Sequence, residues 1–277
     1  MMFIKIAIHK YRKFLFSKKH ILIVYLLIFL WEDIVSRIVD VSSQAQLQIG
    51  LFEPFILMFT EIDHIMIFPL VFIVLLYDYP MTEKEDINII YRTGKNQWHR
   101  GVLIYSLFII FTYIFEILIS SVLGSFQHAG YLCEWSSYIK ELYYSMPELY
   151  RRNVQLFLST EVIAQGRPLE VLIHSSLFSI LFMFAIAQTI FLFYIIEKRN
   201  LGIIIVIIVT MTGWITTKFG MNIRWYFPVS HMLYGEHYKN ILSQSNCSIF
   251  FSYLYFIILN FGLYLLSKRR VKRCVVW

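Results

Sequence analysis

Gly101-Val-Leu-Ile-Tyr-Ser-Leu-Phe-Ile-Ile-Phe-Thr-Tyr-Ile-Phe-Glu-Ile-Leu-Ile-Ser-Ser-Val-Leu123 runs for 23 residues with a single charge, Glu116. At about 1.5 Å per residue a helix over this stretch is roughly 35 Å long, enough to cross a hydrocarbon core of about 30 Å. The stretch therefore reads as a membrane-spanning helix, and the rest of the chain is read around it.

Apolar runs of similar kind cover about Ile21–Val39, Pro54–Tyr77, Val171–Ile196, Leu201–Phe219 and Ile249–Ser267. The cleanly apolar parts of the first two, Ile21–Trp31 and Ile65–Tyr77, are short for a full crossing. Before them, Phe3, Ile4, Ile6, Ala7, Ile8, Tyr11, Phe14, Leu15 and Phe16 alternate with Lys5, Lys10, Arg12, Lys13, Lys18 and Lys19. That pattern predicts an amphipathic helix over residues 1–20 lying in the membrane interface. Its basic region is too long for a cleaved signal peptide and lacks a small-residue cleavage site, which favours a retained anchor. The expected fold class is thus all-α: one polytopic membrane domain of six transmembrane helices with an N-terminal interfacial helix.

Composition agrees. The 277 residues are 58% hydrophobic and 16% charged, with mean hydropathy +0.62, whereas soluble domains are roughly a quarter charged. The net charge of +7 is carried mostly just beyond apolar runs, where an anionic inner leaflet rather than nucleic acid is the expected counterpart. Segments 1–20, 78–100, 197–200 and 268–277 hold six, four, two and five of the 25 Lys and Arg. Basic loops stay inside, so both termini are expected in the cytoplasm. The long outer segments, 124–170 and 220–248, carry many aromatic residues and read as short helices resting on the outer interface.

No phosphate-binding loop, dinucleotide fingerprint, H-E-x-x-H pair or G-x-S-x-G elbow occurs. ATP hydrolysis by this chain is not expected. His231 and His237 lie six apart, on different faces of a helix, and predict no shared metal. Cys133, Cys247 and Cys274 show no metal-binding spacing. The tail Cys274-Val-Val-Trp277 is a chance match to a prenylation box.

The charges within spans are the candidate functional residues. Glu32, Asp33, Ser36, Arg37 and Asp40 recur at helical spacing, with Ile34, Val35, Ile38 and Val39 forming an opposite, lipid-compatible face. This stripe is either the wall of a polar path or a helix end emerging into water; Asp33 and Arg37 are spaced to pair. Glu61, Asp63 and His64 interrupt the second span before Pro69. A mid-membrane carboxylate costs about 2.5–3.5 kcal/mol on insertion scales, which predicts a wet groove or a broken helix there. Glu116, with Thr112, Tyr113 and Ser120 beside it, is either functional or bonded to a neighbouring helix.

Between the second and third spans the chain reads Asp78-Tyr-Pro-Met-Thr-Glu-Lys-Glu-Asp-Ile-Asn-Ile-Ile-Tyr-Arg-Thr-Gly-Lys-Asn-Gln-Trp-His-Arg100. A helix from about Thr82, with Glu83 and Glu85 in its first turn, presents Ile87, Ile89, Ile90 and Tyr91 and ends at Gly94. Such an apolar patch among charges suits a soluble partner, or else rests on lipid.

An acid closing the second span, then this acidic helix, an Ile-Tyr-Arg-Thr-Gly segment and Trp98 opening the third span resemble the six-span permeases of bacterial ABC-2-type exporters. The N-terminal amphipathic helix, the N-in/C-in layout and the Phe-Pro segment before the last span are similar too. The resemblance implies a subunit of the bacterial cytoplasmic membrane working with a separate ABC ATPase, which holds ATP and Mg, and with a second or homologous permease. It implies that Thr82–Tyr91 is the ATPase-docking helix, with Arg92 and Trp98 fixing its exit, and that the cargo is a peptide, antibiotic or lipid-like molecule. Two other readings stand beside it: an intramembrane enzyme using Glu61, Asp63, His64 and Glu116, and a membrane accessory subunit that transports nothing itself.

The basic-loop assignment places Cys133 and Cys247 outside and Cys274 inside. A membrane-impermeant thiol reagent on intact cells should label the first two, with a reduced sample included to open any disulfide, and should leave Cys274 unmodified. Labelling of Cys274 would overturn the orientation.

Overall fold

A computed structural model of the chain describes residues 2–80, 84–131, 133–237 and 247–273. The protein is mostly helical. In chain order it has α1 (Met2–Leu15), α2 (His20–Leu30), a π-helical turn (Trp31–Ser36), α3 (Arg37–Ala45), β1 (Ile49–Gly50), α4 (Glu53–Thr60), α5 (Ile62–Ile65), α6 (Ile67–Leu75), α7 (Lys84–Thr93) and α8 (Lys95–Ser125). There follow β2 (Ala129–Tyr131), α9 (Ser137–Ser145), α10 (Pro147–Arg152), α11 (Thr160–Gln165), α12 (Pro168–Ile195), α13 (Arg199–Lys218), α14 (Pro228–Met232) and α15 (Ile249–Arg273).

Four of these, α8, α12, α13 and α15, are long and apolar enough to cross a membrane. A fifth crossing is formed if α4 and the α5–α6 stretch, bent by 75° at their break, count as one. The expected first span differs. Residues 20–45 are helical throughout, but Glu32, Asp33 and Arg37 cut the apolar part to about eleven residues, roughly 17 Å of helix. The all-α expectation gains one small exception: β1 pairs in parallel with β2, where the connections after α3 and α8 meet.

The core centres on α8 and α12. Phe178, Phe182, Ile186 and Phe191 of α12 are buried, as are Val102, Ile109, Tyr113 and Ile117 of α8. α4 is buried on every side and packs against both helices. By contrast α15 turns most of its apolar residues outward, Phe250, Ile257, Ile258 and Phe261 among them, as a lipid-facing helix does.

The N-terminal helix lies on protein. Ile6, Ala7, Lys10 and Phe14 make one buried face of α1, while Lys5, Arg12 and Lys18 are exposed. Its close approach to α8 needs Gly101, where a Cβ would sit 2.9 Å from Ile6 and 3.0 Å from the Phe3 carbonyl. The Lys10 ammonium donates to the Pro80 carbonyl (3.1 Å) and Lys19 pairs with Asp78 (2.5 Å), so α1 also grips the corner that follows α6.

Replacing Gly101 by Leu should force α1 off α8 and cost about 1–3 kcal/mol. Gly262 on α15 has nothing near its Cα hydrogens, so Gly262→Ala should be neutral or stabilising by up to about 1 kcal/mol. Thermal unfolding of both variants in detergent checks the pair; equal behaviour would contradict the packing of α1.

Candidate functional site

Two carboxylates frame α4, the helix before the break in the second apolar run. Pro54 opens α4 in the first turn, where its missing N–H costs nothing. Glu53 beside it is 3% exposed, and its carboxylate accepts from the Gly50 amide (2.8 Å), the Ser136 amide (2.8 Å) and the Ser136 hydroxyl (2.7 Å). This acid staples the start of α4 to β1 and to the segment entering α9. Sequence reading passed over it; the only signal was an acid directly before a helix-opening proline.

At the other end of α4 the backbone becomes extended at Glu61 (φ −89°, ψ 133°). Pro69 adds a second weakness, because a proline cannot donate to the carbonyl four residues back, and the helix is interrupted again at Met66. Four groups at the break are met by other elements. The Ser159 amide donates to Glu61 Oε1 (2.8 Å), and the Trp214 indole donates to the Ile62 carbonyl (2.9 Å). Lys218 pairs with Asp63 (2.5 Å), and His64 Nε2 meets the Gln155 carbonyl (3.3 Å). Of the alternatives for this stretch, a broken helix is the one found. Its acids are committed to the segment 154–159 and to the end of α13.

Glu116 stands apart from this group. Its Oε1 lies 3.2 Å from His20 Nε2, while Glu116 Oε2 and His20 Nδ1 are buried with no hydrogen-bond partner. Thr112 bonds the Tyr11 hydroxyl, and Tyr113 donates to the Phe68 carbonyl (3.1 Å). The polar strip expected on this helix therefore divides among α1, α2 and α6. His20 sits just before the first apolar run, which is why its role was not legible. Glu61, Asp63, His64 and Glu116 each take a separate partner, with no shared centre.

The stripe of the first run is turned the other way from its expectation. Ile34, Val35 and Ile38 are buried in the bundle, with Trp31 and Val35 over Gly124, whereas Glu32 and Asp40 are exposed and Asp33 and Arg37 half-buried. Arg37 donates to Asp33 (3.3 Å), as the spacing predicts. An apolar face looks alike in sequence whether lipid or protein covers it, and here protein does. The π-turn that carries Glu32 and Asp33 is a feature common at functional sites.

On the loop side, Ile90 is buried against the bundle, whereas Tyr91 is 72% exposed and Arg92 is exposed. Of the expected docking residues, Ile90 is thus turned towards the bundle and Tyr91 and Arg92 away from it. Glu85 is placed on α7 by the backbone, and Glu83 lies outside the described residues. Trp98 is buried on Phe191 and fixes the start of α8 after Gly94, whose φ of +82° ends α7.

A third polar cluster, on the segment before α15, is built from His231 and His237. His231 donates from Nε2 to the Trp225 carbonyl (2.8 Å), accepts at Nδ1 from Ser252 (2.7 Å), and stacks on Tyr255 at 4.1 Å. Burial pushes its pKa down to about 4, so it is a neutral ring at pH 7. Arg224 pairs with Glu236 (3.0 Å) close by. Among the described residues no group of three or more His, Cys, Asp or Glu could hold a metal ion, and Cys133 and Cys247 are free thiols. Comparison with models of known families, with curated proteins and with solved structures finds no match to this chain.

Glu53→Ala strands three donors at a buried site and should lower stability by about 3 kcal/mol. Glu116→Ala removes a half-buried carboxylate with one partner and should cost less than half as much, since the lost pairing is offset by easier burial. Unfolding of the two variants in detergent tests the order; a reversed order would mean that Glu116, not Glu53, is the structural acid.

Proposed function

We propose that this chain is the transmembrane permease subunit of an ATP-driven exporter of the ABC-2 type, acting in the bacterial cytoplasmic membrane. It crosses six times with both ends inside. The helix from His20 and the bent α4–α6 stretch are the first two crossings, and the α12–α13 turn and the basic end of α15 lie on the cytoplasmic side. Two copies, or this chain and a homologous permease, enclose the cargo path. A separate ATPase subunit supplies ATP, Mg and hydrolysis. The cargo class is a peptide, antibiotic or lipid-like molecule.

The observation that carries this reading is α7 and the way it is mounted. It is a ten-residue amphipathic helix, and Ile90 seats it on the bundle while Tyr91 and Arg92 face out. The corner before it is held from three sides. Lys10 and Lys19 reach Pro80 and Asp78, Tyr79 is buried and donates to the Val102 carbonyl (3.2 Å), and Arg199 lies 4.9 Å from the centre of the Tyr77 ring. With α7 packed on α8 and the preceding corner tied to α1, α8 and α13, a push from a cytoplasmic partner can reach all three. A helix that merely rested on lipid would have no need of such bracing. The outward stripe Glu32, Asp33, Arg37 and Asp40 supports a second copy, since charge facing lipid is costly. The separate partners of Glu61, Asp63, His64 and Glu116 speak against an intramembrane enzyme.

Tyr91→Glu or Arg92→Glu should weaken retention of an ATPase subunit by about tenfold or more, because such interfaces rest on a few anchors, while membrane insertion stays intact. Pull-down from detergent extracts of cells expressing the tagged chain reads this out. Ile90→Asp should instead disturb the fold. If no ATPase co-purifies with the wild-type chain, the exporter reading fails and the accessory-subunit reading takes its place.

A further inference from the structure

Three of the membrane-length helices leave a space between them that none of the described residues fills. α13 and α15 both pack on α12, and together they border a groove of about 290 Å³. Ala185 and Thr189 of α12 form its floor, Val209 and Thr210 of α13 and Leu259 of α15 its walls, and Tyr226-Phe227-Pro228 its roof. Thr189, Val209 and Leu259 are half-buried, so the groove is open along its side.

We propose that this groove seats one acyl chain of an anionic membrane phospholipid. The lining chemistry selects hydrocarbon. The Thr189 and Thr210 hydroxyls donate to the Ala185 and Val206 carbonyls of their own helices (2.8 Å each), and the Tyr255 hydroxyl donates to the Tyr226 carbonyl (3.1 Å). The donors of Thr189, Thr210 and Tyr255 are thus already used, and the one other hydroxyl of the lining belongs to Tyr226 at the roof, which is 81% exposed. A polar ligand on the floor or walls would find no free donor and would lose its hydration.

An extended chain fits, because Phe182 to Thr189, the length of floor that lines it, spans about 10 Å of helix. The groove is also continuous with lipid-facing surface: Ile204 and Ile208 on α13 and Ile258 on α15 are 55%, 57% and 62% exposed beside it.

Charge fixes the class of headgroup and the end from which the chain enters. The roof closes the end towards Pro228. At the other end, nine residues beyond Thr189, the α12–α13 turn carries Lys198, which is exposed. Eleven residues beyond Leu259, on the same face of α15, stands the exposed Arg270. These cations lie within about 17 Å of the groove along the helix axes, at the depth of a phosphate whose chain points up into it. Cations at a membrane surface favour anionic over neutral lipid.

The test needs only the purified chain in nanodiscs and no ATPase, so it stands or falls separately from the exporter reading. A phosphatidylglycerol with a diazirine near the end of one acyl chain is photolysed in the disc, and the labelled peptides are mapped by mass spectrometry. Label should concentrate on Ala185–Thr189, on Val209 and Thr210, and on Leu259. Filling the groove with Ala185→Phe, or from its half-buried lip with Thr189→Phe, should reduce that label about tenfold, as expected for the loss of roughly two buried methylenes. Ile258→Phe on the outward face should leave it unchanged, and monodisperse elution identifies the variants that have folded. The matched phosphatidylcholine and a free diazirine fatty acid are run beside it. The proposal is overturned if label spreads evenly over Ile204, Ile208 and Ile258 and ignores the filling variants. It is equally overturned if phosphatidylcholine labels the groove as well as phosphatidylglycerol, or if only the free fatty acid does.

Discussion

Hydrocarbon offers no water to an unpaired amide or carbonyl, and each one left bare costs several kcal/mol. That constraint is met cheaply by α8, α12, α13 and α15, whose backbone bonds are internal. It is met at one irregular place by everything around Glu61. There the helix stops; the Trp214 indole takes up the Ile62 carbonyl, and the Ser159 amide and Lys218 meet the side chains of Glu61 and Asp63. The segment 154–159 and the end of α13 are therefore partners required by the break rather than coverings added to it. α4, buried on every side, can sit in the middle of the bundle because both of its ends are answered, at Glu53 and at Glu61.

The same logic separates the charged residues into kinds. Glu53 and Glu61 accept from backbone amides and hold distant segments together. Asp63–Lys218 and Asp33–Arg37 are pairs with at least one well-exposed side chain, and pairs of that sort contribute little to stability. The Glu116–His20 contact is different again, since each partner keeps one buried atom without a bond. A half-satisfied polar pair is expensive in a low-dielectric setting, which marks it as a place where the bundle is held less firmly than by Glu53. It also joins α8 to the start of α2, directly after the helix that grips the corner leading to α7.

Much of the fold was legible because a membrane simplifies the code. Twenty apolar residues in a row have one stable backbone solution, so α8, α12, α13 and α15 follow from their own composition, and the loop helix α7 and its end at Gly94 follow from periodicity and one glycine. The broken second run was also legible, from three polar residues followed by Pro69. The first run was less so. Its apolar part is too short to cross unaided, and its two faces could be told apart but not oriented, since Ile34, Val35 and Ile38 would suit lipid as well as they suit the bundle.

What the residues determined by themselves, then, is the inventory: which stretches are helices of membrane length, where charge interrupts them, and where the basic segments gather. These are properties of single segments, governed by transfer energies and backbone hydrogen bonding. What only the tertiary structure decided is which groups answer one another. Glu61 meets Ser159, 98 residues away; Glu116 meets His20 rather than the other acids; Ile90 turns inward and Tyr91 outward. Such pairings depend on which helices lie side by side and at what height. No local pattern encodes that, because an acid beside an amide and an acid beside water have the same sequence.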